Sequence, residues 1–121
     1  MNDEKIFKIS LITTIIGLFL IMVLSGYVNP ERLDINQIDK SKIDNQIEVD
    51  ATIASVTQTK TNTKIVKLSD DTGNITLVIF PSVGYEDNLT KNQKVKVIAK
   101  VSQYNNDMEL ILEESKNLII S

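Results

Sequence analysis

TKIVKLSDDTGNITLVIF, residues 63–80, is the clearest structural signal in the chain. Apolar residues alternate with polar ones through Val66 and Leu68, break at Asp70, Asp71, Thr72, Gly73 and Asn74, and resume with Ile75, Leu77 and Ile79. A period of two is that of a strand with one face buried. Gly73 can take positive φ at little cost, and the flanking Asp and Asn side chains can bond the turn backbone. The break therefore predicts a tight turn, and the stretch a β-hairpin.

Outward from this hairpin, partner strands follow on both sides. Ile47, Val49, Ala51 and Ile53 alternate with Glu48, Asp50 and Thr52 as a first strand, and the threonine-rich TQTKTNT of residues 57–63 makes the loop into the hairpin. Pro81, Ser82, Val83 and Gly84 end the hairpin, Tyr85 to Leu89 is expected to form one helical turn, and Thr90-Lys91-Asn92-Gln93 turns the chain back. Val95, Val97, Ala99 and Val101 mark a fourth strand, Asn105-Asn106-Asp107 a hairpin turn, and Met108, Leu110 and Leu112 a fifth strand. Leu118, Ile119 and Ile120 in the tail fit an edge strand or a cover over a barrel end. Five short strands imply a small all-β barrel, closed or nearly so, because closure is how a small antiparallel sheet avoids bare edges.

The N-terminal side reads differently. From Ile9 to Val28 there are 20 residues without a charge, which as a helix would span roughly 30 Å, the thickness of a bilayer's hydrocarbon core. The reading is a tail at 1–8, one transmembrane helix at 9–28, a juxtamembrane linker at 29–45 and a folded domain at 46–121. A cleaved signal peptide is the competing reading; the stretch is longer than a usual signal core, so a retained anchor is expected. Leu24, Ser25 and Gly26 resemble a lipoprotein box, but Tyr27 stands where the acylated Cys would have to be. The short lysine-bearing tail looks like a signal-anchor, which puts the domain outside the cytoplasm in a single-pass cell-membrane protein. In the linker, Ile35 and Ile38 lie three apart and Asp34 could cap a short helix lying on the domain; a solvated tether is the alternative.

Composition closes off much chemistry. The chain has no Cys and no His, which removes disulfides, thiolate nucleophiles, the usual general base and the commonest metal ligand. No catalytic residues, cofactor or metal are expected. Net charge is −3, so any contact with nucleic acid must rest on local charge placement. Asp70, Asp71 and Asn74 could hold a cation, but they are also the ordinary composition of a β-turn. Glu109, Glu113 and Glu114 read as the solvated face of the fifth strand, and Lys94, Lys96 and Lys100 as solubilising positions on the fourth.

From about Lys42 to Glu114, the segments IDNQIEVDATIASV, IVKLSDDTGNITLVIF and LTKNQKVKVIAKVSQYNNDMELIL resemble the OB-fold nucleic-acid-binding domain of anticodon-binding and helicase type. The most specific pieces are the Asp-Asp-Thr-Gly turn with its following Ile-x-Leu-x-Ile strand, and the Lys-x-Gln-Lys-Val-x-Val opening of strand four. Ala51 and Asn92 stand where the family often has Gly. Asn also visits the left-handed region; Ala51 would lessen the bend of the first strand. The resemblance implies a five-stranded OB-fold Greek-key barrel with a short helical turn between strands three and four. It also implies a ligand lying across strands two and three, bordered by the first loop and the loop between strands four and five.

If Val66, Leu68, Ile75, Leu77 and Ile79 point inwards, then Ile65, Lys67, Thr76, Val78 and Phe80 point outwards. Phe80 then offers a stacking platform, or else fills the barrel mouth as core. Lys67 offers a phosphate contact, with Lys60, Lys64 and Tyr104 on the bordering loops. The candidate binding residues are Lys60, Lys64, Lys67, Thr76, Phe80 and Tyr104. The expected role is a membrane-anchored, non-catalytic module binding single-stranded DNA or RNA. The alternative is an extracytoplasmic protein-interaction or assembly module of the cell envelope. An anchor followed by such a barrel also resembles the haem chaperone of cytochrome c maturation, without the His or Cys that would bond haem.

Overall fold

The alternating apolar residues become the inside of a barrel. In the computed structural model, which describes residues 30–121, the strands are β1 (Glu31–Arg32), β2 (Gln46–Gln58), β3 (Lys64–Ser69), β4 (Asn74–Ile79), β5 (Lys94–Tyr104), β6 (Asp107–Ile111) and β7 (Leu118–Ile120). The five strands expected from the sequence are β2 to β6. They close in the order β2-β3-β4-β6-β5 and back to β2. Every pairing in that circuit is antiparallel except β4 with β6, where Thr76 lies opposite Glu109 and Val78 opposite Ile111 in parallel register. The anchor expected at 9–28 and the tail at 1–8 lie outside the described residues; among the described residues no helix is long and apolar enough to cross a membrane.

Closure depends on β2, which serves two partners. Residues 46–52 pair with β5 and residues 52–58 with β3, and the register shifts between Ile53 and Ser55. Ala54 is the unpaired residue of a bulge, which bends and twists the strand locally. The bend thus comes from a bulge three positions after Ala51 and needs no glycine. Inside, Ile47, Val49, Ile53, Val66, Leu68, Leu77, Val95, Val97, Val101 and Leu110 are at most 1% exposed; each buried aliphatic side chain of this size contributes about 1.5–3 kcal/mol.

Left-handed residues make the turns, though not all where the sequence suggested. Asn92 has φ 73°, as its side chain permits, and Asn105 and Asn106 at 51° and 69° make the two-residue turn between β5 and β6. Two consecutive positive φ values are the signature of a type I′ hairpin, whose twist matches that of the strands. Gly73 does not adopt positive φ, and a Cβ placed there would meet Ile35 Cγ2 at an ordinary 3.5 Å. The β3–β4 turn is held by a side chain instead. Asp70 Oδ1 accepts from Thr72 N–H (2.7 Å), Thr72 Oγ1 (2.6 Å) and Gly73 N–H (3.0 Å).

The stretch read as a linker packs on the barrel. β1 runs parallel to the start of β2, a 3-10 turn covers Ile35–Gln37, and Leu33, Ile35 and Ile38 are buried in the core. Ile35 N–H donates to Asp70 Oδ2 (2.9 Å) and Asn36 N–H to Thr72 Oγ1 (3.1 Å). From Glu31 onwards this is an arm bound to the β3–β4 turn: of the two readings of this stretch, the short element with Asp34 at its N-cap lying on the domain is the one present, as a 3-10 turn, and the solvated tether is not.

The turn between β4 and β5 is also corrected. Pro81–Val83 forms a 3-10 turn, with Pro in its first position and Gly84 ending it at φ 71°, whereas residues 85–89 are not helical. Tyr85 and Leu89 pack against the core individually, so the loop is fixed by two side-chain contacts in place of helical hydrogen bonds. In the tail, β7 pairs antiparallel with β5, the edge-strand alternative.

Candidate nucleic-acid interface

Alternation on β3, β4 and β6 sends Lys67, Thr76, Val78 and Glu109 to the outer surface of the barrel. Lys67 lies directly opposite Thr76, and Glu109 lies opposite Thr76 on one side and Ser102 on the other. Register places the β2–β3 loop at the Ile79 end of this surface, since Gln58 faces Lys64 and Lys64 faces Ile79. The β5–β6 turn borders the other end.

Two depressions lie on the surface. One, of about 470 Å³, is lined by Lys67, Thr76, Asn74, Asp107 and Met108, with Ile35 and Ile38 of the arm as a wall. The other, of about 280 Å³, is lined by Val78, Phe80, Tyr104, Glu109 and Ile111. Phe80 is 44% exposed and Tyr104 68%, so Phe80 is not barrel core. Val78 is only 8% exposed yet stands outside the core cluster: it faces outward and is covered by its neighbours on this face.

The candidate residues do not all converge. Lys67 with Thr76, and Phe80 with Tyr104, are brought together in pairs. Lys60 is exposed on a loop that its own bonds shape, with Thr59 N–H donating to Thr63 O (2.9 Å), Asn62 N–H to Thr59 O (3.0 Å) and Asn62 at φ 65°. Lys64 belongs elsewhere. It shares the alternation of Val66 and Leu68, and its Nζ sits 5.4 Å from the centre of the Tyr85 ring and donates to Tyr85 O (3.3 Å). Burial raises the pKa of the Tyr85 phenol, with Asp87 adding to the effect.

Sequence reasoning missed Glu109 and Ile111, reading the first as merely solvated. The signal was available in the even spacing of Asp107, Glu109 and Ile111, but only the parallel pairing of β6 with β4 carries that row onto the face of Thr76 and Val78.

Electrostatically the two sides of the barrel differ. Around β1, β2 and β5, Arg32 pairs with Asp50, Lys42 with Glu31 (2.8 Å), Lys96 with Glu48 (4.0 Å) and Lys100 with Asp44 (3.8 Å). Among the described residues, Lys60, Lys67, Asp107 and Glu109 enter no ion pair. The β3–β4–β6 face can therefore offer cation, carboxylate and aromatic rings to a ligand without first breaking internal pairs.

The family model for the OB-fold nucleic acid binding domain matches residues 47–118, more than half of the chain. The chain belongs to that family. Solved structures share the OB-fold at low identity. An OB domain from Methanosarcina mazei superposes with a TM-score of 0.62 at 16% identity, covering 78% of this chain and 84% of that one. An aspartyl-tRNA synthetase from Leishmania major Friedlin gives 0.62 at 12% identity over 78% of this chain, which spans only 21% of the synthetase. A replication protein A heterotrimer bound to ssDNA gives 0.52 at 14% identity, covering 63% of this chain and 57% of that one. Compared with curated proteins by sequence, the chain matches none. At these identities the structures establish the OB-fold alone.

Proposed function

We propose that this OB-fold binds single-stranded DNA or RNA across β3, β4 and β6, as a non-catalytic module held at a membrane by residues 9–28 with its barrel outside the cytoplasm. The observation that carries the binding reading is the coincidence, on one face, of Lys67, which enters no ion pair among the described residues, with exposed Phe80 and Tyr104. Stacked bases contribute about 1–3 kcal/mol each, and a backbone phosphate takes the cation. The replication protein A structure that shares the fold is bound to ssDNA. The uncharged run from Ile9 to Val28 supports the anchor.

Fluorescence-anisotropy titration of the full chain with labelled single-stranded DNA and RNA at two salt concentrations tests the binding. Affinity that falls steeply with salt is the expected result. A second reading, a protein-assembly module, draws on β7, where Ile119 and Ile120 are 52% and 39% exposed on an edge of the sheet. Absence of binding to either strand at low salt leaves that reading standing.

A further inference from the structure

We propose that Glu109 makes this face prefer guanine over uracil or thymine, an inference that rests on the nucleic-acid reading above. Glu109 is half-buried in the middle of the face, opposite Thr76 and Ser102, and lines the same depression as Phe80 and Tyr104. Among the described residues it has no ion-pair partner, whereas Glu48 on the opposite side is paired with Lys96. A carboxylate at this place repels a phosphate, so its use to a bound strand lies with the bases.

An ionised carboxylate only accepts hydrogen bonds. Guanine presents N1–H and the N2 amino group side by side, two donors that match the two carboxylate oxygens. Uracil and thymine present one N3–H between two carbonyl oxygens, whose lone pairs face the carboxylate unfavourably. Cytosine and adenine, each with one amino group beside an acceptor, fall between. A base stacked on Phe80 or Tyr104 places its edge within the depression that Glu109 lines, so stacking supplies affinity and the carboxylate supplies choice.

The test compares a uridine-only RNA with one of the same length in which alternate uridines are guanosines, titrated against the full chain and its Glu109→Gln variant. The wild type is expected to bind the guanosine-containing strand about tenfold tighter, within the range of a bidentate base contact. Glutamine keeps the shape, removes the charge and offers one donor and one acceptor. The variant should therefore bind the uridine strand more tightly and the guanosine strand less tightly, collapsing the ratio, with an unchanged unfolding midpoint. A variant that binds both strands more tightly by the same factor overturns the proposal, since that is phosphate repulsion alone. Equal wild-type affinity for the two strands also overturns it while leaving the nucleic-acid reading intact; failure to bind either strand at low salt removes both.

Discussion

On the β1–β2–β5 side of the barrel, Arg32, Lys42, Lys96 and Lys100 each stand beside a carboxylate of a neighbouring strand or turn. On the β3–β4–β6 side, Lys67 lies opposite Thr76 and Glu109 opposite Thr76 and Ser102. Both sides obey the same alternation and cover the same core. The difference lies in what register sets across from each charge: a neutralised face has little left for a ligand, and a face of unpaired groups retains its field and its donors. Among the described residues the exposed aromatic rings are Phe80, just past β4, and Tyr104, where β5 turns into β6, so both border the β3–β4–β6 face.

The contrast is most easily broken at the seam, Asp70, where the arm meets the β3–β4 turn. Asp70→Ala removes four accepted hydrogen bonds and leaves Ile35 N–H without its partner; a loss of about 3 kcal/mol in urea unfolding is expected. Burial raises the Asp70 pKa, but the hydrogen bonds from Thr72, Ile35 and Gly73 outweigh it and leave the carboxyl below its ordinary 3.8. A depressed folded pKa means the stabilisation is complete above the unfolded pKa and is lost as pH falls through the lower folded value. Urea midpoints measured downwards from pH about 4 should therefore fall less steeply in Asp70→Asn than in the wild type.

Phe80→Ala sharpens the contrast from the ligand side. It should cost about 1–2 kcal/mol of single-strand affinity with little change in unfolding midpoint, because the ring is 44% exposed and outside the core. An unchanged affinity in a folded variant removes Phe80 from the face. Lys67→Ala is expected to act more narrowly, reducing the slope of log affinity against log salt by about 0.7, one phosphate contact on a single strand. A slope equal to the wild type's means that Lys67 touches no phosphate. The smallest effect belongs to the paired face: Glu48→Gln should shift stability by less than about 1 kcal/mol, the usual worth of an ion pair at a protein surface, and leave single-strand affinity as it was. A large change in binding there erases the distinction between the faces.

Much of this architecture is legible along the chain. Val66, Leu68, Ile75, Leu77 and Ile79 are inside as their spacing requires, and Asn92 and Asn105-Asn106 turn the chain where their side chains allow positive φ. The misreadings have local causes. Gly73 suggested a left-handed turn because glycine permits one, yet Asp70 Oδ1, accepting from Thr72 and from Gly73 N–H, makes the turn without it. Lys64 was grouped with the loop, although one step of the strand period puts it on the inner row and beside Tyr85. In the arm, the Ile35 and Ile38 spacing with Asp34 ahead of it did signal the short turn that packs on the domain, whereas no local pattern marked Leu33 as core.

Periodicity, turn residues and composition by themselves determined the all-β class, the five barrel strands, the inward rows and the absence of Cys and His chemistry, because each depends on residues near one another in sequence. Only the tertiary structure decided which outward rows become neighbours. The parallel pairing of β6 with β4 set Glu109 beside Thr76, the antiparallel pairing of β2 with β5 set Glu48 beside Lys96, and the docking of the arm set Ile35 against the β3–β4 turn. Contacts between strands distant in the chain follow from how the sheet closes, and closure is a property of all the strands together.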